Sequence, residues 1–219
     1  MFLVKKMLSA LGQVDMQKID FNQLNAALKN ADINVVETKD NGKTFSLKLN
    51  LRGQEGLGYM TVVFDNEEVG STTKQGADST FLSDVFHRTG EALGAKDSEI
   101  RAAIASSFMA SADNAHAVHP NHPEKADITN KAVMGGGIVI KNHANKSYTT
   151  NAMSSAILKT ILNKNGVKYQ AFFNRSDVRS GSTLGAAALR HTGMLGADAG
   201  LAQLAMHSSC ECFAKADYK

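Results

Sequence analysis

Apolar positions along the chain change their period near Gly58. Before it, residues 21–31 (FNQLNAALKNA) set Leu24, Ala27 and Leu28 at helical spacing, which predicts a short N-terminal helix. Residues 34–37 and 44–51 flank Asp40-Asn41-Gly42, and Phe45, Leu47, Leu49 and Leu51 alternate with polar neighbours. That is the pattern of a β-hairpin with a glycine-assisted turn. Beyond Gly58 short apolar runs alternate with helical patterns. Strands are predicted over residues 59–64, 108–112, 137–141 and 169–173, with a last strand or turn just before His207. Helices are predicted over 78–93, over 97–107 with Asp97 or Ser98 as the cap, and over 184–191. A further helix runs from a Thr150 or Asn151 cap through Asn163 and is closed by Gly166. Strands separated by helices imply an α/β fold, a mainly parallel central sheet flanked by helices. The expected division is an N-terminal segment, 1–57, holding the helix and hairpin, and a larger domain, 58–219.

Composition sharpens this only a little. The 219 residues are 43% apolar and 21% charged, enough for one α/β domain and a small appendage. A formal charge of +3, with Lys and Arg scattered, argues against a nucleic-acid partner. No apolar run is long enough to cross a bilayer, so no membrane partner is expected. The opening MFLVKK has the wrong order of charge and apolar residues for a signal peptide. The two cysteines, Cys210 and Cys212, cannot make a disulfide framework, and free thiols point to the cytoplasm.

Candidate chemistry gathers where strands end. FDNEEVGS (64–71) places three acids within four positions after an apolar run. Such a cluster is either a solvated acidic turn or a site whose charge a metal offsets, one Glu ligating and its neighbour taking a proton. SADNAHAVHPNHP (111–123) holds Asp113, His116, His119 and His122, a ligand-rich loop in which the prolines disfavour a helix. One metal ligand is expected from it, the remaining groups bonding substrate or backbone. NRSDVRSGST (174–183) is a polar loop opening a helix, and Gly181-Ser182-Thr183 could present N–H groups to an anion or carbonyl. No G-x-S-x-G elbow surrounds Ser182, so it is not read as a nucleophile. His207 follows an apolar stretch, and Lys141 alone reads as a strand-end surface charge.

In their order, FDNEEVGS, SADNAHAVHPNHPEK, IVIKNHANKSYTTNA, NRSDVRSGSTLG and LAMHS resemble the M18 zinc metallo-aminopeptidases, the family of the aspartyl aminopeptidases, from about Gly58 to Glu211. The resemblance implies a zinc-peptidase-like fold and a two-zinc site in which Glu67 is the general base. It implies Glu68 and His207 as ligands of one zinc and Asp113 as a ligand of the other. His116 and Lys141 match substrate-binding positions that face the acidic side chain of the N-terminal residue. Peptides are the implied substrates, and a homo-oligomer or a complementing chain the implied partner.

The departures from the family are as informative. Its members carry, upstream, a metal-binding His in an H-x-D motif, a bridging Asp in an L-D-N motif and an inserted dimerisation domain. No His precedes His87 here, and Ile19-Asp20-Phe21-Asn22 is a poor echo of L-D-N. The C-terminal helix of the family is expected to be cut short after Glu211. Two functions follow. One is a metallo-aminopeptidase that removes N-terminal residues, acidic or neutral, by Glu-assisted attack of water. The other is a truncated, non-catalytic M18-like domain serving assembly or peptide binding.

Overall fold

The computed structural model describes the backbone of residues 34–40, 43–51, 58–62, 64, 66 and 69–218. Side chains are described for Met60, Val62, Phe64, Asn66 and residues 69–218. The expected helix over 21–31, the hairpin turn at Asn41-Gly42, and both Glu67 and Glu68 lie outside the described residues. The chain divides into two compact units, Met1–Asp65 and Asn66–Lys219.

In the first unit β1 (Asn34–Asp40) and β2 (Lys43–Leu51) pair antiparallel, Asp40 opposite Lys43, which is the expected hairpin. A third strand, β3 (Gly58–Thr61), pairs antiparallel with β2. The apolar run after Gly58 thus begins as a strand, but its partner is the hairpin and not the four-stranded sheet of the second unit. The expected boundary at 57/58 falls just before β3, which adds the start of that run to the hairpin's sheet.

The second unit opens with α1 (Phe81–Ala92) and α2 (Asp97–Ala105). Lys96, not Asp97 or Ser98, is the N-cap of α2, and the Glu99 carboxylate accepts its N–H at 2.7 Å. Then follow β4 (Phe108–Ala112), the short β5 (Ala115–His116), β6 (Ile138–Asn142), α3 (Ala152–Lys164), β7 (Tyr169–Phe173), α4 (Leu184–Thr192), β8 (Leu195–Gly200), β9 (Ala202–Leu204) and β10 (Cys212–Phe213). Asn151 caps α3 by accepting the Ser154 N–H at 2.9 Å, while Ser154 Oγ accepts the Asn151 N–H at 2.9 Å. This reciprocal cap is why the helix begins there.

The central sheet runs β4-β8-β6-β7. β4 is parallel to β8 and β6 to β7, and the two pairs join through an antiparallel contact, Val139 opposite Gly200. The sheet is therefore mixed, with helices packed on it. Val139 and Ile140 are fully buried on opposite faces, as a strand with two covered faces requires. Val139 packs with Ala115, Tyr148, Phe172 and Ala202, and Ile140 with Leu158 of α3 and Ala197 of β8. A smaller sheet, β10-β9-β5, continues the chain beyond the end of β8.

Candidate active site

Where β4 leaves the central sheet its backbone keeps following β8 into β9. Asp113 donates its N–H to Ala199 O (3.0 Å), Ala115 to Leu201 O (2.9 Å) and Ala117 to Gln203 O (2.8 Å). Asn114 locks the bend, its Oδ1 accepting the Leu201 N–H at 2.8 Å and its Nδ2 donating to Gln203 Oε1 at 2.5 Å. Gly200 is what permits this approach. A Cβ there would lie 2.1 Å from the Asp113 carbonyl oxygen, far inside van der Waals contact. The sequence thereby fixes Asp113 at the carboxyl end of β4.

From β6 comes Lys141, only 5% exposed. Its ammonium donates to Asn114 O at 2.9 Å, lies 3.3 Å from Asp113 Oδ1, and stands 4.7 Å above the Tyr148 ring. A buried ammonium needs such partners to offset its lost hydration. Tyr148 is itself buried, and burial pushes its phenol up; the nearby Asp113 and Asp198 carboxylates act the same way, against a 2.7 Å bond from Asn174 Nδ2.

His116 keeps an exposed face while its ring stands partly desolvated at the wall of the site. That desolvation, then the nearness of His207 and Lys141, holds its imidazole below the usual value of 6.5. His207 lies in a tight turn in which both Ala205 (φ 56°) and His207 (φ 71°) adopt the left-handed region. Non-glycine residues rarely do so, and such strain concentrates at functional positions. The turn is held by Ser208 N–H on Ala205 O (3.0 Å) and by His207 N–H on Glu211 Oε1 (2.5 Å).

Asp113, His116, Lys141 and His207 line one pocket of about 410 Å³, together with Tyr148, the 181–184 segment, Asp78 and Arg190. Four of the six residues expected at the site are thus brought together from separate segments; Glu67 and Glu68 lie outside the described residues. Lys141, which the strand pattern alone presented as a surface charge, is buried, because the pocket supplies it with a carboxylate, a carbonyl and a ring. His119 and His122 do not line this pocket. They are exposed, and His122 Nδ1 contacts Glu124 at 3.1 Å. The Thr183 N–H, a candidate donor to substrate, is already given to Ser147 O at 3.3 Å. A larger depression of about 780 Å³, beside the Arg175–Asp177 ion pair, contains none of the expected site residues. Tyr148, Asn114 and Asp198 carry no role in the motif reading, and an Asp within the Gly/Ala run LGADAG is the available signal for the last.

Carboxylate and imidazole donors suit zinc. Asp113 and His207 fit that ion in kind, with Lys141 balancing the Asp113 charge in this structure. Among the described residues no three His, Cys, Asp or Glu side chains are gathered closely enough to hold a metal by themselves.

A mixed sheet flanked by helices, with carboxylate, imidazole and ammonium groups converging beyond its strand ends, is the architecture of a zinc-peptidase-like α/β domain. The family model for "Aminopeptidase I zinc metalloprotease (M18)" matches residues 44–219, and the chain belongs to this family. It is 46% identical over 155 residues to a probable M18 family aminopeptidase 2 of Clostridium acetobutylicum, covering 71% of this chain and 36% of that protein. It is 39% identical over 176 residues to aspartyl aminopeptidase 1 of Schizosaccharomyces pombe, covering 80% and 37%. The solved dodecamer of mApe1 from Saccharomyces cerevisiae matches with a TM-score of 0.61 at 30% identity, covering 71% of this chain and 34% of that one. The chain spans about a third of the length of the relatives it matches.

Proposed function

We propose that this chain carries part of the active site of a metallo-aminopeptidase that removes N-terminal residues, acidic or neutral, from peptides. The observation that carries the reading is the convergence of Asp113, His116, Lys141 and His207 on one pocket. In this reading Asp113 and His207 hold zinc, with Glu68 completing the His207 side, and the family's site has two ions. Zinc, when bound, lowers the pKa of water and polarises the scissile carbonyl. Glu67 takes the proton from the attacking water and returns it to the departing amine. His116, kept neutral at pH 7 by desolvation, can accept or donate a hydrogen bond to substrate. The Lys141 ammonium, already paired with Asp113, adds positive potential that favours an acidic side chain at the substrate's N-terminal residue.

The second reading is a non-catalytic M18-like domain for assembly or peptide binding. Among the described residues no three His, Cys, Asp or Glu side chains are gathered closely enough to hold a metal. Two exposed thiols accord with a cytoplasmic setting, and the mApe1 dodecamer supports a homo-oligomer or a complementing chain. The deciding experiment is release of aspartate and leucine from N-terminal aspartyl and leucyl peptides, with zinc supplied. The chain alone should show little turnover. Adding a chain with the H-x-D and L-D-N motifs should raise it, and Glu67→Gln should abolish it. Turnover that survives Glu67→Gln would defeat the mechanism; no turnover in any combination would favour the binding domain.

A further inference from the structure

Asp198, in the middle of β8, is fully buried. Its Oδ2 accepts the Thr149 backbone N–H at 2.6 Å and the Thr183 hydroxyl at 2.8 Å. Its own N–H donates to Thr150 Oγ1 at 2.9 Å. One aspartate thus fastens residues 149–150, directly after Tyr148, and the residue that caps α4. Its partner in register on β4 is Ser111, two residues before Asp113. Among the described residues Asp198 Oδ1 and Ser111 Oγ are both buried and without a hydrogen-bond partner. Gly185 of α4 lies directly over the pair, since a Cβ there would fall 2.4 Å from Asp198 Oδ1 and 2.7 Å from Ser111 Oγ.

A buried carboxylate with one oxygen unbonded is costly, and an apolar side chain of similar size would serve packing better. What it gains is a contiguous route to the site. Asp198 holds Thr149, the adjacent Tyr148 ring faces the Lys141 ammonium, and Lys141 pairs with Asp113. We infer that Asp198 is a positioning residue of this pocket, tying the 147–150 segment and the start of α4 to β8 so that Lys141 and Asp113 keep their mutual geometry. The inference rests on the reading of the pocket as a zinc site for its effect on metal, but not for the tie itself.

The test uses the full chain and two readouts: zinc affinity, by competition with a chromophoric chelator, and hydrogen exchange of the Thr149 amide. Asp198→Ala should weaken zinc about tenfold, the lower end for loss of a group that orients a ligand, and should speed Thr149 exchange. Asp198→Asn keeps a carbonyl oxygen for both donors and should restore both readouts toward wild type. Thr183→Val should shift zinc affinity in the same direction, and it decides the matter if Asp198→Ala does not fold. Leu158→Ala, on the Ile140 side of the sheet, should destabilise the fold without moving either readout. A folded Asp198→Ala chain with wild-type zinc affinity and wild-type Thr149 exchange would overturn the assignment, as would an equal loss of both in Leu158→Ala. If the wild-type chain takes up no zinc, the metal reading fails, and the exchange comparison alone then supports or overturns the tie.

Discussion

Replacing Lys141 by Met keeps the aliphatic stem and removes only the ammonium. In the native chain Lys141 is 5% exposed, and its ammonium meets the Asp113 carboxylate at 3.3 Å, the Asn114 carbonyl at 2.9 Å and the Tyr148 face at 4.7 Å. One-sided removal of a fully buried ion pair costs about 3–5 kcal/mol, because the remaining charge is stranded. The Asp113 side chain is 20% exposed, so water recovers part of that loss. The unpaired Asn114 carbonyl adds about 1 kcal/mol, and the lost cation–π contact about 0.5–1. Set against these is the desolvation of the ammonium, which the mutant no longer bears. A net destabilisation of about 2–3 kcal/mol follows, or roughly 5–10 °C in Tm for a unit of this size. Urea unfolding followed by far-UV circular dichroism measures it, with the m-value expected to stay constant. Asp113→Asn in the same chain should recover about 1–2 kcal/mol, the mark of direct coupling. A loss under about 0.5 kcal/mol, or strict additivity of the two changes, would refute the view that Asp113 and Lys141 sustain one another.

Other outcomes follow from the same geometry. The folded-state pKa of His116 lies below 6.5, so in the window beneath 6.5 the unfolded chain binds a proton that the folded chain refuses. Its contribution to stability is present above 6.5 and is lost as pH falls through the lower folded value; His116→Gln should flatten that part of the stability profile, which urea midpoints at several pH values would reveal. Gly200→Ala should destabilise by about 2–3 kcal/mol and weaken zinc binding, because its Cβ would displace the Asp113 carbonyl; thermal melts and zinc titration check both. Cys210→Ser with Cys212→Ser should leave zinc affinity unchanged, since the donors assigned here are carboxylate and imidazole; chelator competition reads this directly.

Much of the fold is legible wherever side-chain period and punctuation agree. β4 and β7 occupy the residues expected, and α3 starts on Asn151, one of the two expected caps, because the Asn151–Ser154 exchange is local chemistry. β8 was hidden for the opposite reason. LGADAG has none of the β-branched or aromatic residues that mark strands, yet it pairs with both β4 and β6. Small residues are required there because α4 lies close at Gly185 and the Asp113 carbonyl presses on Gly200. Those contacts are tertiary, and no local window contains them.

The site divides in the same way. Loop chemistry alone left Asp113, His116, His119 and His122 as candidates; the family resemblance singled out the first two, and the meeting of β4, β6 and the 205–207 turn brings those two, and not His119 or His122, to one pocket. Lys141 looked like a solvated strand end because its carboxylate partner is supplied from β4, by way of the 113–114 bend. Asp198 drew no attention because its role depends on Thr149, Thr183 and Ser111, which come from three other segments.

X-ray absorption of the zinc-loaded full chain tests the central claim most directly, since it reports what touches the ion. A first shell of oxygen and nitrogen at about 2.0–2.2 Å is expected, with the outer-shell signature of imidazole, losing amplitude in Asp113→Ala and in His207→Ala. A sulfur shell at about 2.3 Å would place the ion on Cys210 and Cys212 instead; that spectrum, unchanged by either substitution, would contradict the assignment of this pocket as the metal site.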